Sequence, residues 1–314
     1  MKIGLDSFSF HIALAAGGYD IFRTLDWMSE LGFAGIQINI NGPDGRFLGR
    51  DPSDLAHLKR VRSALEQKGF FAEVGGGHVT DPSIVAAQLR LAAALGADTL
   101  RTVVGWQTSL THTIALAHAS LGQTLPLARQ LGVRLAVENH EDITAAELGG
   151  LLAAIGDPQV GACLDTGNDI VVYGDPVGAA RLLATRAVST HIKDQKLVRV
   201  AGTIYSVGVP LGTGDINLPA IIQLIQTKSP LDRILIQNCT GYAAPLNKFK
   251  RPDLHPTSGH PEVPSYATEA DLRTHGSFLS LDGLSSAALT ALAKIQQTNI
   301  VRDLAYVRTH LAGI

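Results

Sequence analysis

The chain has 314 residues, of which 46% are hydrophobic and 17% are charged, so it carries enough apolar material for a large core. Its formal net charge of −2 and the lack of any run of Lys and Arg interleaved with aromatic residues argue against a nucleic-acid partner. With two cysteines, no signal-peptide pattern and no apolar segment long enough to span a bilayer, we expect a cytoplasmic protein without disulfides or membrane contact.

Short apolar runs, often β-branched, alternate along the chain with longer stretches of helical period. In chain order, strands are predicted at KIGLDSFSF, GIQINI, FFAEVGGG, TLRTVVGW, RLAVENH, VGACLDTG, VSTHIKD and RILIQNC. Several of the helical stretches between them end in Gly, which suits a left-handed helix cap. About eight β/α units predict one α/β domain over residues 1–314, a closed (β/α)8 TIM barrel. A doubly wound sheet is the alternative, but no strand leads into a G-x-G-x-x-G fingerprint.

A long excursion, residues 240–284, separates the last predicted strand from the final helical stretch. It is longer than an ordinary loop of such a barrel, and it contains several prolines as well as His255 and His260. Because a loop after a barrel strand lies on the catalytic face, one interpretation is a lid. The other is a decoration or a contact with a second copy or a small partner subunit.

Ligand-type side chains stand at the ends of the last four predicted strands: Glu138, Asp165, His191 and Gln237. If alternate residues point inward, the four converge at the mouth of the barrel. Each taken alone has a structural explanation, as a helix cap, an ion-pair partner or a core histidine. Together they predict a site for a divalent cation, manganese in the first place, with magnesium, cobalt and zinc as alternatives.

Other polar and aromatic residues near the same strand ends are candidates for catalysis and substrate binding. His140 is the first candidate base, because its ordinary pKa is near neutrality; the alternative is a contact with a substrate hydroxyl. Lys193 could stabilise an enolate or an anionic group, or form a rim ion pair with Glu141 or Asp194. The residues predicted to contact substrate are Phe8, His11, His78, Trp106, Glu141 and Asn168.

The motifs VEN, LDTGN, HIKD and PLGTGDINLPAII resemble, in their order and spacing, the xylose-isomerase-like barrels. That superfamily includes sugar-phosphate isomerases and epimerases, keto-sugar epimerases, inosose dehydratases, catalytic subunits of C-glycoside deglycosidases and type IV apurinic endonucleases. The resemblance implies that Glu138, Asp165 and His191 hold the metal. It also implies that Gln237 stands where the family has a fourth ligand, a glutamate.

By this resemblance, the expected function is a metal-dependent sugar or keto-sugar isomerase or epimerase that removes a proton beside a polarised carbonyl, with Glu138, His140 and Lys193 as catalytic candidates. Gln237 cannot serve as the second base of a two-base epimerisation. Asn168 stands where epimerases and endonucleases usually have His. The alternative is therefore a lyase that acts by β-elimination on a keto-cyclitol or a 3-keto-glycoside. An abasic-site endonuclease and a non-catalytic barrel are less favoured.

The segment GTGDIN has two interpretations. Amides of a Gly-rich turn before a helix could hold a phosphate, through Gly212 and Gly214. The resemblance instead implies a plain turn in which Asp215 is a cap or a supporting group, and this interpretation is preferred.

Overall fold

The computed structural model describes residues 1–40, 46–256 and 263–312. The strands of this part of the chain are β1 (Lys2–Asp6), β2 (Gly35–Asn39), β3 (Phe71–His78), β4 (Thr99–Val103), β5 (Arg134–Glu138), β6 (Val160–Asp165), β7 (Ala187–His191), β8 (Asp194–Val200), β9 (Thr203–Val209), β10 (Arg233–Ile236), β11 (Ala243–Pro245) and β12 (Ser265–Tyr266). All eight strands predicted from the sequence are present, as β1 to β7 and β10.

These eight strands form one parallel sheet in the order β10, β1, β2, β3, β4, β5, β6, β7. The first and last strands of that order, β10 and β7, are joined through Ile192, the residue after β7. The Ile192 amide donates to the Leu235 carbonyl (2.8 Å), and the Gln237 amide donates to the Ile192 carbonyl (2.9 Å). The sheet is thereby closed into the predicted (β/α)8 barrel. Its strands read as nearly continuous apolar runs because both faces of a parallel sheet are covered.

Helices alternate with these strands along the chain. They are α1 (His11–Ala15), α2 (Ile21–Glu30), α3 (Leu55–Gln67), α4 (Pro82–Leu95), α5 (Leu110–Leu131), α6 (Ala145–Ile155), α7 (Asn168–Val171), α8 (Pro176–Leu183), α9 (Leu218–Lys228), α10 (Glu269–Arg273) and α11 (Ser286–Ala312). Local sequence explains their ends: Gly132 caps α5 with a left-handed φ of 68°, and Thr144 and Glu147 form a capping box at the start of α6.

The main hydrophobic core runs from Leu5 to Val307 and joins the barrel strands to the helices outside them. Inside the barrel lies a buried polar layer. Glu73 accepts hydrogen bonds from Gln37 Nε2 (3.0 Å), Ser189 Oγ (2.6 Å) and Arg233 Nε (2.9 Å). Among the helices of the described ranges, none is both long and apolar enough to cross a membrane.

A second sheet, which the sequence did not predict, has the strand order β11, β9, β8, β12. Its centre is the β8–β9 hairpin, which follows β7 almost directly, and β11 and β12 belong to the excursion of residues 240–284. A small apolar cluster, with Val198, Val207 and Leu272 among its members, packs this sheet against α10. The excursion therefore contains regular structure, in the form of β11, β12 and α10.

Arg251 fastens the excursion to loops of the barrel. Its side chain is fully buried, and its two terminal nitrogens donate to the Glu147 carboxylate at 2.6 and 2.8 Å. The guanidinium also lies 4.7 Å from the centre of the Trp106 ring. His255 lies in the described part of the excursion, whereas His260 falls outside the described residues.

Candidate metal centre

Glu138, Asp165 and His191 are the last residues of β5, β6 and β7. Because neighbouring parallel strands end at the same edge of the barrel, the three side chains meet there, and one ligand-type atom of each lies within 4.8 Å of the others. All three are at most 3% exposed. The structure thus brings together three of the four ligands predicted from the sequence.

The orientation of the His191 ring is set by Gln37. Gln37 Nε2 donates to Glu73 Oε2 (3.0 Å), so its Oε1 faces His191 Nε2 at 2.9 Å. An amide oxygen only accepts hydrogen bonds, so His191 Nε2 carries the proton. The other ring nitrogen, Nδ1, faces Glu138 Oε1 at 3.3 Å and Asp165 Oδ2 at 3.6 Å. Nδ1 is therefore the atom available to a metal.

The charges in the cluster are strongly coupled. Burial alone would raise the pKa of Glu138, but His191 and Arg101 hold it well below its ordinary value, and Arg101 Nε lies 3.4 Å from Glu138 Oε2. Burial alone would lower the pKa of His191, but Cys163 and Glu138 raise it well above its ordinary value. A cation at this site would thus take the place of the Nδ1 proton, so that metal binding releases a proton.

Asp165 offers one oxygen that hydrogen bonds do not use. Its Oδ1 accepts from the amides of Gly167 (2.8 Å) and Asn168 (2.9 Å). Its Oδ2 is buried and accepts no hydrogen bond in the described structure, although Lys193 Nζ lies 3.1 Å away. Two ligands of one cation at about 2.1 Å lie roughly 3.0–3.5 Å apart, close to the two separations from His191 Nδ1. The residues present therefore fit a divalent cation.

Gln237, the predicted fourth ligand, lies beside the triad but turns its nitrogen toward it. Gln237 Nε2 donates to Asp6 Oδ1 (3.1 Å) and is 3.3 Å from His191 Nδ1, whereas its Oε1 faces Cys239 Sγ at 3.4 Å. Coordination through the amide oxygen would require the amide to rotate and give up its bond to Asp6. Metal ligation by Gln237 therefore stays a prediction.

A cavity of about 720 Å³ opens at this end of the barrel. Its wall combines polar groups from the triad side with apolar side chains such as Ile40 and Val103. The residues predicted from the sequence that line it are Phe8, His78, Glu138, His140, Glu141, Asn168, Lys193 and Gln237.

Two of the predicted substrate contacts, His11 and Trp106, do not belong to this lining. His11 stacks on Phe8 with the ring centres 4.4 Å apart, and its Nδ1 lies 3.1 Å from Gln296 Nε2. Burial lowers the pKa of His11 to about 4, so the ring is neutral. Trp106 packs against the guanidinium of Arg251. Both residues therefore stand outside the cavity lining, and their rings contact these neighbours instead.

Lys193 points into the cavity and does not form the rim ion pair that was the alternative. Its Nζ donates to Asn168 Oδ1 (2.6 Å), and Asn168 Nδ2 in turn donates to Glu138 Oε1 (2.9 Å). Burial alone would lower the pKa of Lys193, but the charges around it, Asp165 above all, raise it above its ordinary value. A buried, permanently charged ammonium group thus stands beside the candidate metal centre.

The GTGDIN segment is a turn whose amides are already bonded. Asp194 Oδ2 accepts from the amides of both Gly212 and Gly214 at 2.9 Å, and Asp215 Oδ2 accepts from the Leu197 amide at 2.8 Å. These contacts agree with the interpretation as a plain turn. They leave the two amides unavailable to a phosphate.

Several residues around the candidate metal centre were not predicted from the sequence. Gln37 and Arg101 lie within β2 and β4, and Tyr242 and Lys248 lie in the excursion. A polar residue inside an otherwise apolar strand, as in GIQINI and TLRTVV, was a signal that could have pointed to the first two. The lid interpretation placed the excursion on the catalytic face, but it named no residue of the excursion that would reach the cavity.

A model of the family described as "Xylose isomerase-like TIM barrel" matches residues 25–236, which is more than half of the chain. The chain belongs to this family. The match includes β2 to β10 and therefore Glu138, Asp165 and His191, and it ends one residue before Gln237.

Named relatives of this xylose isomerase-like barrel include a 3-oxo-isoapionate decarboxylase of Pectobacterium atrosepticum, which is 33% identical over 177 residues. That match covers 54% of this chain and 62% of the decarboxylase, so it spans less than two thirds of the relative's length. The protein YihM of Escherichia coli is 20% identical over 260 residues, which cover 82% of this chain and 79% of YihM.

Solved structures of other proteins share the fold. A D-psicose 3-epimerase determined with D-fructose superposes with a TM-score of 0.66 at 16% identity and covers all of both chains. An IOLI protein with a bound zinc atom superposes with a TM-score of 0.61 at 13% identity, over 75% of this chain and 88% of that one.

Proposed function

We propose that this xylose isomerase-like barrel is a divalent-metal-dependent enzyme that forms an enolate from a 3-oxo sugar acid by loss of CO2. The relative with 33% identity is named as a decarboxylase of a 3-oxo acid, which supports this reaction class. Decarboxylation is an addition to the isomerisation, epimerisation and β-elimination that were expected from the sequence. All of these reactions pass through an enolate next to a carbonyl: loss of a proton forms it in isomerisation, epimerisation and β-elimination, and loss of CO2 forms it in decarboxylation.

The proposal rests above all on the presence of an amide, Gln237, beside the triad. This amide lies 3.3 Å from His191 Nδ1, at the position where a second carboxylate would complete a two-base site. An amide does not take up a proton at neutral pH, so epimerisation between two bases lacks one of them. Decarboxylation needs no base, because the bond to CO2 supplies the electron pair. It needs only a stabilised enolate and a proton to finish the reaction.

The charges near the centre favour an anionic substrate. The buried cations Arg101 and Lys193 balance the carboxylates of Glu138 and Asp165, with which they form ion pairs. Asp6 adds a third carboxylate, which accepts from Gln237 Nε2 and lies 3.8 Å from His191 Nε2. A divalent cation would still leave this group of residues with a net charge of +1. Such a site is complementary to a carboxylate, the group that a decarboxylase must hold.

Each residue at this centre has its own role in the proposed reaction. Glu138, Asp165 and His191 Nδ1 would hold the cation, which when bound supplies Lewis-acid stabilisation of the developing enolate. Lys193, held by Asn168 and Asp165, would place a positive charge beside the substrate's carboxylate or oxo group. The cavity walls would exclude water and so strengthen these interactions.

The test offers 3-oxo-isoapionate to the manganese-loaded protein and measures release of CO2. We expect one CO2 for each keto product, and loss of activity after treatment with a chelator. Asp165→Asn keeps an acceptor for the Gly167 and Asn168 amides but removes the free carboxylate oxygen, so it should lose both metal and activity. Metal-dependent turnover without CO2 release would contradict the proposal.

One-base isomerisation is the second candidate, and His140 is the observation that favours it. His140 lines the cavity two residues beyond Glu138, and its side chain is 32% exposed. A base there could move a proton on a neutral keto-sugar. The same protein incubated with D-fructose or D-psicose in deuterium oxide would then incorporate deuterium without releasing CO2. β-Elimination would instead reveal itself through an unsaturated product.

The remaining alternatives receive less support. A three-metal endonuclease needs more ligands than the one group of three that the described residues contain. A non-catalytic barrel would not need the buried, charged triad. Elemental analysis separates that last alternative, since a decayed site should purify without metal.

A further inference from the structure

The excursion supplies two side chains, Tyr242 and Lys248, that meet Glu141 at the wall of the cavity. The Tyr242 hydroxyl donates to Glu141 Oε1 (2.7 Å), and Lys248 Nζ donates to Glu141 Oε2 (2.8 Å) and to the Tyr242 hydroxyl (3.3 Å). Glu141 follows β5, whereas the other two follow β10, so the cluster joins loops that are three strands apart around the barrel mouth. We call these three residues the Tyr242 cluster.

The Tyr242 cluster connects the cavity to solvent. Tyr242 and Glu141 line the cavity, and Glu141 is 1% exposed, whereas the side chain of Lys248 is 38% exposed. Phe8 fixes the Tyr242 ring from the side in an edge-on contact, with the ring centres 5.7 Å apart. A proton can therefore pass from solvent to Lys248, from Lys248 to the phenol oxygen, and from there into the cavity.

We propose that Tyr242 is the proton donor of the reaction and that Lys248 restores its proton. This inference rests on the proposed function, in which an enolate must be protonated after CO2 has left. The Tyr242 hydroxyl turns from Glu141 toward the cavity, and its hydrogen forms the new C–H bond with the electron pair of the enolate carbon. The O–H electron pair stays on the phenolate oxygen. The Lys248 ammonium then protonates that oxygen, and water returns a proton to the amine.

The surroundings suit this role. Burial and the Glu141 charge raise the pKa of Tyr242 well above its ordinary value, so the hydroxyl stays protonated until a strong base such as an enolate carbon faces it. Burial alone would raise the pKa of Glu141, but the charges of His140, Lys248 and Lys193 hold it below its ordinary value. Glu141 is thus an anion that keeps the Lys248 ammonium next to the phenol.

The test follows decarboxylation of 3-oxo-isoapionate in deuterium oxide with the manganese-loaded protein. In the wild type, deuterium should enter one face of the product carbon. Tyr242→Phe should lower kcat by about 100-fold or more, with KM changed by less than about threefold, and should place deuterium on both faces, because water then protonates the enolate. Tyr266→Phe, a matched change elsewhere in the excursion, should retain the wild-type values.

Lys248→Arg distinguishes proton supply from a structural role. Arginine keeps the ion pair with Glu141, but it does not give up a proton at neutral pH. We expect kcat of this variant to fall at least tenfold, whereas wild-type turnover would overturn the resupply by Lys248. Unchanged kcat or deuterium on a single face in Tyr242→Phe would overturn the donor assignment. A wild-type protein that releases no CO2 from this acid overturns the proposed function, and the proton donor with it.

Discussion

Gln37 shows how one residue outside the triad decides what the triad can do. Its amide nitrogen is committed to Glu73, so its oxygen must accept from His191 Nε2 and leave Nδ1 to the carboxylates. Without that bond, the neutral imidazole could carry its proton on Nδ1 and so present the wrong nitrogen for a metal. Gln37 would therefore contribute to the affinity for a metal at Nδ1 without touching the metal.

Gln37→Leu should weaken metal binding by about 10- to 100-fold, because the tautomer and orientation of His191 are no longer fixed. Manganese affinity, measured by competition with a chelator, checks this expectation. Gln88→Leu is the matched control, since Gln88 lines the same cavity but bonds to the Gly77 amide. Equal affinities for the two variants would show that Gln37 does not govern the ring.

At the scale of elements, the loops at the barrel mouth are tied together by a few buried side chains. Glu147 joins the start of α6 to the excursion, because it completes the capping box of α6 and also binds the buried guanidinium of Arg251. Asp169 of α7 accepts from Asn139 Nδ2 (2.5 Å) and from the Ala145 amide (3.2 Å), so it joins the loop after β6 to the start of α6.

Arg251→Met should destabilise the protein by about 3 kcal/mol, because it leaves the partly buried carboxylate of Glu147 without its partner and removes the contact with Trp106. Chemical denaturation measures this loss, and limited proteolysis should show earlier cleavage within residues 240–256. Arg273→Met is the control, since the pair of Arg273 with Glu269 is partly exposed and should contribute less than about 1 kcal/mol. Similar effects of the two substitutions would contradict an anchoring role for Arg251.

Asp169 should make stability depend on pH. Burial raises the pKa of Asp169 to about 7, whereas an unfolded aspartate titrates near 3.9. Between about pH 4 and pH 7 the unfolded chain therefore loses a proton that the folded protein keeps, so this residue lowers stability as the pH rises. Relative to Asp169→Asn, the wild type should lose on the order of 1–4 kcal/mol across this window. Chemical denaturation of both proteins at pH 4.5, 6 and 7.5 measures this loss. A difference in their free energies of unfolding that stays constant over the three pH values would refute the expectation.

At the scale of the whole molecule, the eight barrel strands could be predicted because each is an apolar run between helical stretches. The convergence of Glu138, Asp165 and His191 could also be predicted, since parallel strands bring their ends together. The β8–β9 hairpin was missed because it directly follows β7, where a helix was expected next. Gln37, Arg101 and Tyr242 were missed because their partners are distant in sequence, and local periodicity carries no information about such contacts.

Metal binding should stabilise the entire fold, because the ligands come from three different strands of the closed barrel. At a free manganese concentration 100 times the dissociation constant, the gain is about 2.7 kcal/mol, which corresponds to a rise in Tm of roughly 3–6 °C. Thermal melts with manganese and with a chelator measure this difference. Asp165→Asn should melt at the same temperature in both conditions, and a shift of wild-type size in that variant would place the metal elsewhere.

The buried polar layer has a consequence for how the chain becomes folded during synthesis. Glu73 is made early, but its ion-pair partner Arg233 is 160 residues later in the chain, on the last barrel strand. A nascent first half that closed on itself would bury the Glu73 charge without this counter-ion. This missing ion pair disfavours a stable half-barrel intermediate, and we expect the barrel to become stable only once its last strand has been synthesised.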